Sequence, residues 1–282
     1  MKCLLVVNTL SGNASKVNED ELLRLYASKD DVTVRYIRST EDSYSLEGVD
    51  KLILCGGDGT LNHALGLTRG KAIDIYYLPV GTFNETAKDR TPQGELARLG
   101  MIGETEFAYV AAAGSFTDLG QASSAKQKQR FKIFAYFFHV LKSYRVHRIQ
   151  ATISYEGRSE TDDYTLLMLS NATRCFGFRF NRLHRHNADE LQLLTIKAPK
   201  RDDLWGRIKM FFPFFRAFFI GFSKPHFGKY VRFLSLKKVS FSLPEKTDFC
   251  LDGERISFSG ELTAQTVTHA ARVRILPSCH PF

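Results

Sequence analysis

The chain has 282 residues, 44% of them apolar, and its 39 Lys and Arg against 30 Asp and Glu leave a net charge of +9. That length suits two domains of ordinary size or one large one, and the apolar share argues against disorder. Five scattered cysteines argue against a disulfide framework or a paired zinc site and read as reduced thiols, while the basic balance favours an anionic partner: a membrane surface, nucleic acid or a phosphorylated substrate.

The opening, Met1-Lys2-Cys3-Leu4-Leu5-Val6-Val7-Asn8, is too short for a signal-peptide core and reads as a first buried strand. Apolar runs at Leu4–Val7, Val32–Ile37, Leu52–Cys55, Ile75–Leu78 and Phe107–Ala112 predict strands. Asp20–Ser28, Leu61–Thr68 and Glu85–Lys88 carry helical composition between them. Such alternation predicts an α/β domain with a mostly parallel sheet, whose ligands sit at the carboxyl ends of the strands. Three motifs fall at that edge. They are Asn8-Thr9-Leu10-Ser11-Gly12-Asn13, Gly56-Gly57-Asp58-Gly59-Thr60-Leu61-Asn62 and Pro79-Val80-Gly81-Thr82-Phe83-Asn84.

The second motif carries most weight. Glycines let a ligand approach the main chain, and the N–H groups of a strand-to-helix corner bind phosphate. A plain glycine turn is the bland alternative. Asp58 would repel phosphate, so it implies either a bridging Mg²⁺ or an ordered network.

The character changes near residue 116. Phe134, Phe137, Phe138 and Leu141 form a helical stripe within 131–144, flanked by basic residues. Strand signals then dominate: Ile149–Tyr155 and Tyr164–Ser170, joined like a hairpin across Glu156-Gly157, then Leu191–Lys197, Tyr230–Leu236, Val239–Leu243 and Val267–Leu276. A mostly antiparallel, sandwich-like second domain is expected. Arg182, His184, Arg185 and His186 read as a basic loop.

Segment 205–222 places Trp205, Ile208, Phe212, Phe215 and Phe219 on one helical stripe, widened by Phe211, Phe214, Phe218 and Phe222. It reads as a helix packed on the second domain, as an interfacial helix beside basic residues, or as both on different faces. Lys209, Pro213 and Arg216 interrupt the apolar run from Ile208 to Phe222, which falls short of a spanning helix.

Together with Leu251-Asp252-Gly253-Glu254, these motifs resemble the soluble lipid kinases: bacterial diacylglycerol kinases, their YegS-like relatives and sphingosine kinases. The resemblance implies an α/β fold of two domains. One is an amino-terminal three-layer nucleotide-binding domain over 1–118, to which 268–282 return. The other is a carboxy-terminal antiparallel β-sandwich-like lipid domain over 119–267. It implies transfer of the ATP γ-phosphate, with Mg²⁺, to the hydroxyl of a lipid. Nucleotide contacts would come from Asn8, Ser11, Gly12, Thr40, Gly57, Asp58, Gly59, Thr60, Leu61, Asn62, His63, Thr82 and Asn84. Asp252 and Glu254 match the carboxylates that take the substrate proton, with Glu254 favoured; read alone, they are an Asp-Gly turn before a solvated glutamate. A structural Mg²⁺ would use Asp189 with the carbonyls of His186 and Leu191, although Glu190 stands where the family has glycine. His63, Phe83 and Glu85 also depart from the family pattern.

The expected protein is cytoplasmic and visits an anionic membrane, with a homodimer open and no nucleic-acid partner, since its basic residues are dispersed. The alternatives are an NAD kinase-like enzyme and a non-catalytic nucleotide or lipid sensor.

Overall fold

The computed structural model describes residues 1–82, 84–88, 94–115, 147–175, 177–201 and 204–277; the helix expected over 131–144, together with Phe83, lies outside them. Two compact units are present, Met1–Leu99 with the described part of 267–282, and Gly100–Thr266.

In the first unit, β1 (Lys2–Asn8), β2 (Asp31–Ile37), β3 (Lys51–Gly56) and β4 (Asp74–Pro79) pair in parallel in the order β2-β1-β3-β4. The fifth member arrives from far along the chain. Arg272–Ile275, the end of β14 (Glu254–Ile275), pairs in parallel with β4. Leu52, Ile53, Leu54 and Cys55 of β3 all have no exposed surface. A parallel strand covered on both faces needs such an unbroken apolar run, which is why alternation is missing there. Helix α1 (Glu19–Tyr26) starts where the Asn18 side chain accepts the Glu21 N–H at 3.1 Å, with three acidic residues in its first turn. It buries Leu22 in a core with Leu5, Val7, Ile53 and Leu78. Helix α2 (Asp58–Leu67) follows β3, and the short α3 (Glu85–Lys88) follows β4.

The second unit pairs antiparallel. β6 (Thr105–Phe107), β7 (Val110–Gly114), β8 (Ile149–Tyr155), β9 (Arg158–Ser170), β10 (Leu191–Lys197), β11 (His226–Phe227), β12 (Val231–Leu236) and β13 (Lys238–Leu251) join the first part of β14. β9 and β13 are long, and each pairs with β7 along one stretch and β8 along another. The β8–β9 turn is Glu156-Gly157, with φ of 47° and 75°. Both central residues are left-handed, as a type I′ two-residue hairpin requires.

Sequence reasoning placed one strand over Phe107–Ala112, and the structure divides it. The chain breaks at Ala108-Tyr109, whose N–H groups serve a side chain instead of a ladder. The expected strand Val239–Leu243 extends to Leu251, and Val267–Leu276 begins at Glu254. β5 (Glu95–Ile102) was not expected at all, because Arg98 and Gly100 interrupt its apolar pattern.

Helix α4 (Leu204–Phe215) contains Pro213 and widens into a π-turn over Arg216–Ile220. Proline supplies no N–H to the turn before it, and a wider turn is one way to absorb the loss. The π-turn ends at Gly221, with φ of 70°, where a Cβ would lie 2.6 Å from the Phe180 carbonyl oxygen. The Arg216 guanidinium bonds that Gly221 carbonyl and lies 4.6 Å from the Phe222 ring centroid. Met210, Phe214 and Ala217 are fully buried against Phe180, Phe222 and Phe233.

Candidate functional site

The carboxyl ends of β1, β3 and β4 lie side by side in the first unit, and their three loops close on one another. Val80 donates to the Gly56 carbonyl at 2.8 Å, and Asn13 donates to the Val80 carbonyl at 2.9 Å. The closure depends on glycine. A Cβ on Gly81 would sit 2.5 Å from the Gly57 Cα and 2.6 Å from Asn84 Oδ1. One on Gly56 would sit 2.4 Å from the Thr60 Cβ, and one on Gly12 would sit 2.9 Å from Thr82 Oγ1. Gly59, in contrast, faces open space. The crowding at Gly12 and Gly81 lies between the loops, that at Gly56 is against the first turn of α2, and the Gly59 side of that turn is clear.

Side chains then fix the loops. Asn8 Nδ2 donates to Thr60 Oγ1 at 2.8 Å, while Asn8 Oδ1 accepts the Leu10 N–H at 3.0 Å. Asn84 is buried at φ of 50° and donates from Nδ2 to the Gly81 carbonyl at 2.9 Å. Its Oδ1 is buried with no hydrogen-bond partner among the described residues. A buried acceptor without a donor is costly, and a bound group carrying a donor would relieve it.

Asp58 forms the ordered network that the sequence offered as one of two options. Its Oδ2 accepts the Glu85 N–H at 2.8 Å and its Oδ1 the Thr86 N–H at 3.0 Å. The carboxylate thus caps α3 and ties the glycine corner to the loop after β4, an ordered network. Burial pushes the Asp58 carboxyl above its usual range, against the lowering pull of the Thr86 and Glu85 N–H groups.

The other expected contacts divide by exposure. Thr82 is exposed, and Ser11 and Asn62 are half-buried. Leu61 has no exposed surface, and its N–H bonds the Gly57 carbonyl at 3.0 Å, so it anchors α2 rather than facing a ligand. Thr40 is exposed in a turn where Asp42 accepts the Arg38 and Ser39 N–H groups. His63 meets Tyr44 edge to face, with ring centroids 5.5 Å apart. Tyr44 is a residue the motif search missed; it carries no phosphate chemistry, and its only signal was an aromatic before β3.

The second unit holds the two carboxylates. Asp252-Gly253 is the two-residue turn between β13 and β14, with φ of 51° and 102°. Asp252 is buried. Its Oδ1 accepts the Tyr109 and Val110 N–H groups at 3.0 and 2.9 Å, its Oδ2 accepts the Ala108 N–H, and its own N–H bonds the Val110 carbonyl at 2.9 Å. Glu254, at the hairpin exit, is exposed. The turn is therefore the hairpin that the local sequence suggested, but the two acids are used differently: Asp252 is committed to main-chain donors, and Glu254 faces solvent.

The expected structural Mg²⁺ finds a competitor. Asp189 Oδ2 lies 3.0 Å from Lys237 Nζ, both side chains being more than half exposed. Glu190 accepts from Ser235 Oγ at 2.6 Å. Among the described residues no three His, Cys, Asp or Glu gather as a metal set. The observed partner of Asp189 is an ammonium, which a Mg²⁺ held by Asp189 with the carbonyls of His186 and Leu191 would have to displace.

Comparison with known proteins finds similarity in sequence over part of the chain and in fold over most of it. Residues 2–105 match the diacylglycerol kinase catalytic domain. A diacylglycerol kinase of Staphylococcus carnosus strain TM300 is 25% identical over 165 residues, 52% of this chain and 52% of that protein. The alignment thus spans about half the length of this curated relative. Among solved structures, a candidate diacylglycerol kinase from Bacillus anthracis strain Sterne superposes with a TM-score of 0.68 at 17% identity, over 96% of this chain and 95% of that one. A second, a diacylglycerol kinase from the same strain, gives 0.63 at 16% identity over 96% of each chain. At those identities the superpositions establish shared fold.

Proposed function

From a chain that is diacylglycerol kinase-like over residues 2–105, we propose that this protein transfers the γ-phosphate of ATP to the hydroxyl of a lipid, diacylglycerol or a close relative, presented by a membrane. The observation that carries the reading is the glycine-dependent closure of the loops after β1, β3 and β4 inside that matched stretch. It leaves main-chain N–H groups at the start of α2 for a phosphate chain, while Asn8, Thr60, Asp58 and Asn84 hold the loops in shape. The finer architecture, three layers in the first unit and a sandwich in the second, belongs to the same reading. Parallel pairing in the one and antiparallel pairing in the other support it.

Phosphoryl transfer requires charge neutralisation, in-line positioning and a group to accept the hydroxyl proton. Mg²⁺ bound with the nucleotide would neutralise phosphate charge. Asp58 is turned to α3, so its part in this reading is to hold the loop that meets the phosphates. Glu254 is the proton acceptor, being exposed and outside the set of main-chain bonds that holds Asp252. Asp252 positions the hairpin that carries it.

The test is transfer of radiolabelled γ-phosphate from ATP, with Mg²⁺, to mixed micelles containing diacylglycerol, with NAD in a parallel tube. Labelled lipid is the expected result. Labelled NAD would move the protein to the NAD kinase-like alternative, and ATP binding without any labelled acceptor would leave the sensor.

The glycine closure makes its own prediction. Gly81→Ala is expected to weaken ATP binding at least tenfold and to lower stability by about 1–3 kcal/mol, the usual range for overpacking. Backbone stands 2.5 Å from the new Cβ and no rotamer change relieves it. Calorimetric titration with ATP checks this, and unchanged affinity would detach the loop closure from nucleotide binding.

A further inference from the structure

The aromatic segment separates into two faces in the second unit. Met210, Phe214 and Ala217 point inward and are fully buried. Trp205, Ile208, Phe212 and Phe215 point outward at i, i+3, i+7 and i+10, with Trp205 71% and Phe212 68% exposed. The sequence left open which stripe packs, and this one is left in solvent. Phe214 and Phe218 belong to the inner face, Phe214 fully buried and Phe218 packed against the same core. Beyond the helix, Ile220, Phe227 and Tyr230 are also exposed.

The segment that carries this face is basic, although Asp202-Asp203 precede it and Arg232 and Lys237 are paired with Glu160 and Asp189. Residues 204–244 contain eight Lys or Arg and no Asp or Glu. Lys209 is exposed on the helix, one position from Ile208 and three from Phe212, and Lys224 and Lys229 are exposed between the π-turn and β12. A large apolar face on a monomer marks an interaction site, and a basic surround selects an anionic partner that accepts apolar side chains. An acidic protein groove would meet the charge, but an anionic bilayer meets both requirements over a broad face. No described helix is long and apolar enough to cross a membrane, so insertion would be interfacial.

We propose that the outer face of α4 docks the protein on anionic lipid bilayers, with Trp205, Ile208, Phe212 and Phe215 entering the acyl boundary and Lys209, Lys224 and Lys229 meeting lipid phosphates. This gives the lipid-kinase reading its route to substrate, but membrane docking itself needs neither nucleotide nor phosphate transfer. Failure of one is thereby separable from failure of the other.

Trp205 is the chain's single tryptophan, so its fluorescence reports this face alone. The experiment titrates the full chain, without nucleotide, with vesicles of equimolar phosphatidylglycerol and phosphatidylcholine, and with phosphatidylcholine alone. A blue shift on the anionic vesicles, quenched by brominated acyl chains, is expected. The double variant Ile208→Ser, Phe212→Ser is expected to bind at least tenfold more weakly, and Lys209→Glu about fivefold more weakly. Both variants alter exposed side chains, so an unchanged melting curve and unchanged phosphorylation of a short-chain, micelle-free diacylglycerol serve as controls. No blue shift on anionic vesicles overturns the proposal, as does equal binding by the double variant. Self-association of the lipid-free protein that the double variant abolishes, without vesicle binding, would assign the face to a second copy instead.

Discussion

Glu254→Gln is expected to lower the rate of lipid phosphorylation by about 10²–10⁴, the usual contribution of a positioned general base, while leaving ATP affinity and the melting temperature unchanged. The argument rests on what the two neighbouring acids are doing. Asp252 spends both carboxylate oxygens on main-chain N–H groups of residues 108–110. A carboxylate so engaged would have to give up buried hydrogen bonds to take a proton from substrate. Glu254 stands two residues on, at the first position of β14, with its side chain exposed. Substitution to the isosteric amide removes the proton acceptor and touches no buried contact, and exposed positions of that kind change stability by about 0.5 kcal/mol or less. Initial rates with radiolabelled ATP, beside nucleotide titration of the same preparation, check both halves. A rate within twofold of the parent would remove Glu254 from the proposed role and return the question to Asp252.

The parts of the site that were legible share a physical cause. Cys55-Gly56-Gly57-Asp58-Gly59-Thr60 is readable because the Thr60 side chain packed over Gly56 leaves no room for a Cβ there, and the sequence must record such a constraint. β3 is readable because a parallel strand covered on both faces must be apolar throughout. The role of Asp58 was legible only as a choice, since its partners are main-chain N–H groups, which every residue but proline carries. The break in the expected strand Phe107–Ala112 was hidden for the same reason. Its cause is a carboxylate 142 to 144 residues away in the chain.

The aromatic helix shows a different kind of illegibility. Period 3.6 separates its faces, but with Phe on both sides composition does not say which face is inward. Packing decides it: Phe222 stacks on Phe233 with centroids 4.4 Å apart, and Phe214 joins that core. Phe214 is thereby placed inward and Phe212 outward, an allocation that composition left open.

Asp252→Ala is expected to cost more stability than any other substitution considered, about 3–6 kcal/mol. The figure follows from the groups left behind. Three N–H donors, at Ala108, Tyr109 and Val110, lose their acceptor, and Ala108 and Val110 are buried. A buried donor stripped of its partner costs about 1–3 kcal/mol. Alanine at φ of 51° adds about 1 kcal/mol, because a Cβ without a polar side chain is disfavoured in the left-handed region. Water reaching Tyr109, which is only half-buried, would offset part of the sum. Asp252→Asn keeps the turn conformation and one acceptor oxygen but aims an amide at a former donor, so its loss should fall between parent and alanine. Denaturant unfolding of the three proteins, followed by far-ultraviolet circular dichroism, orders them. Because the same carboxylate holds the strand break and the turn that carries Glu254, Asp252→Ala should lose activity together with stability, whereas Glu254→Gln should lose activity alone. Parent-like stability in Asp252→Ala with activity abolished would reverse the assignment and make Asp252 the group that meets the substrate.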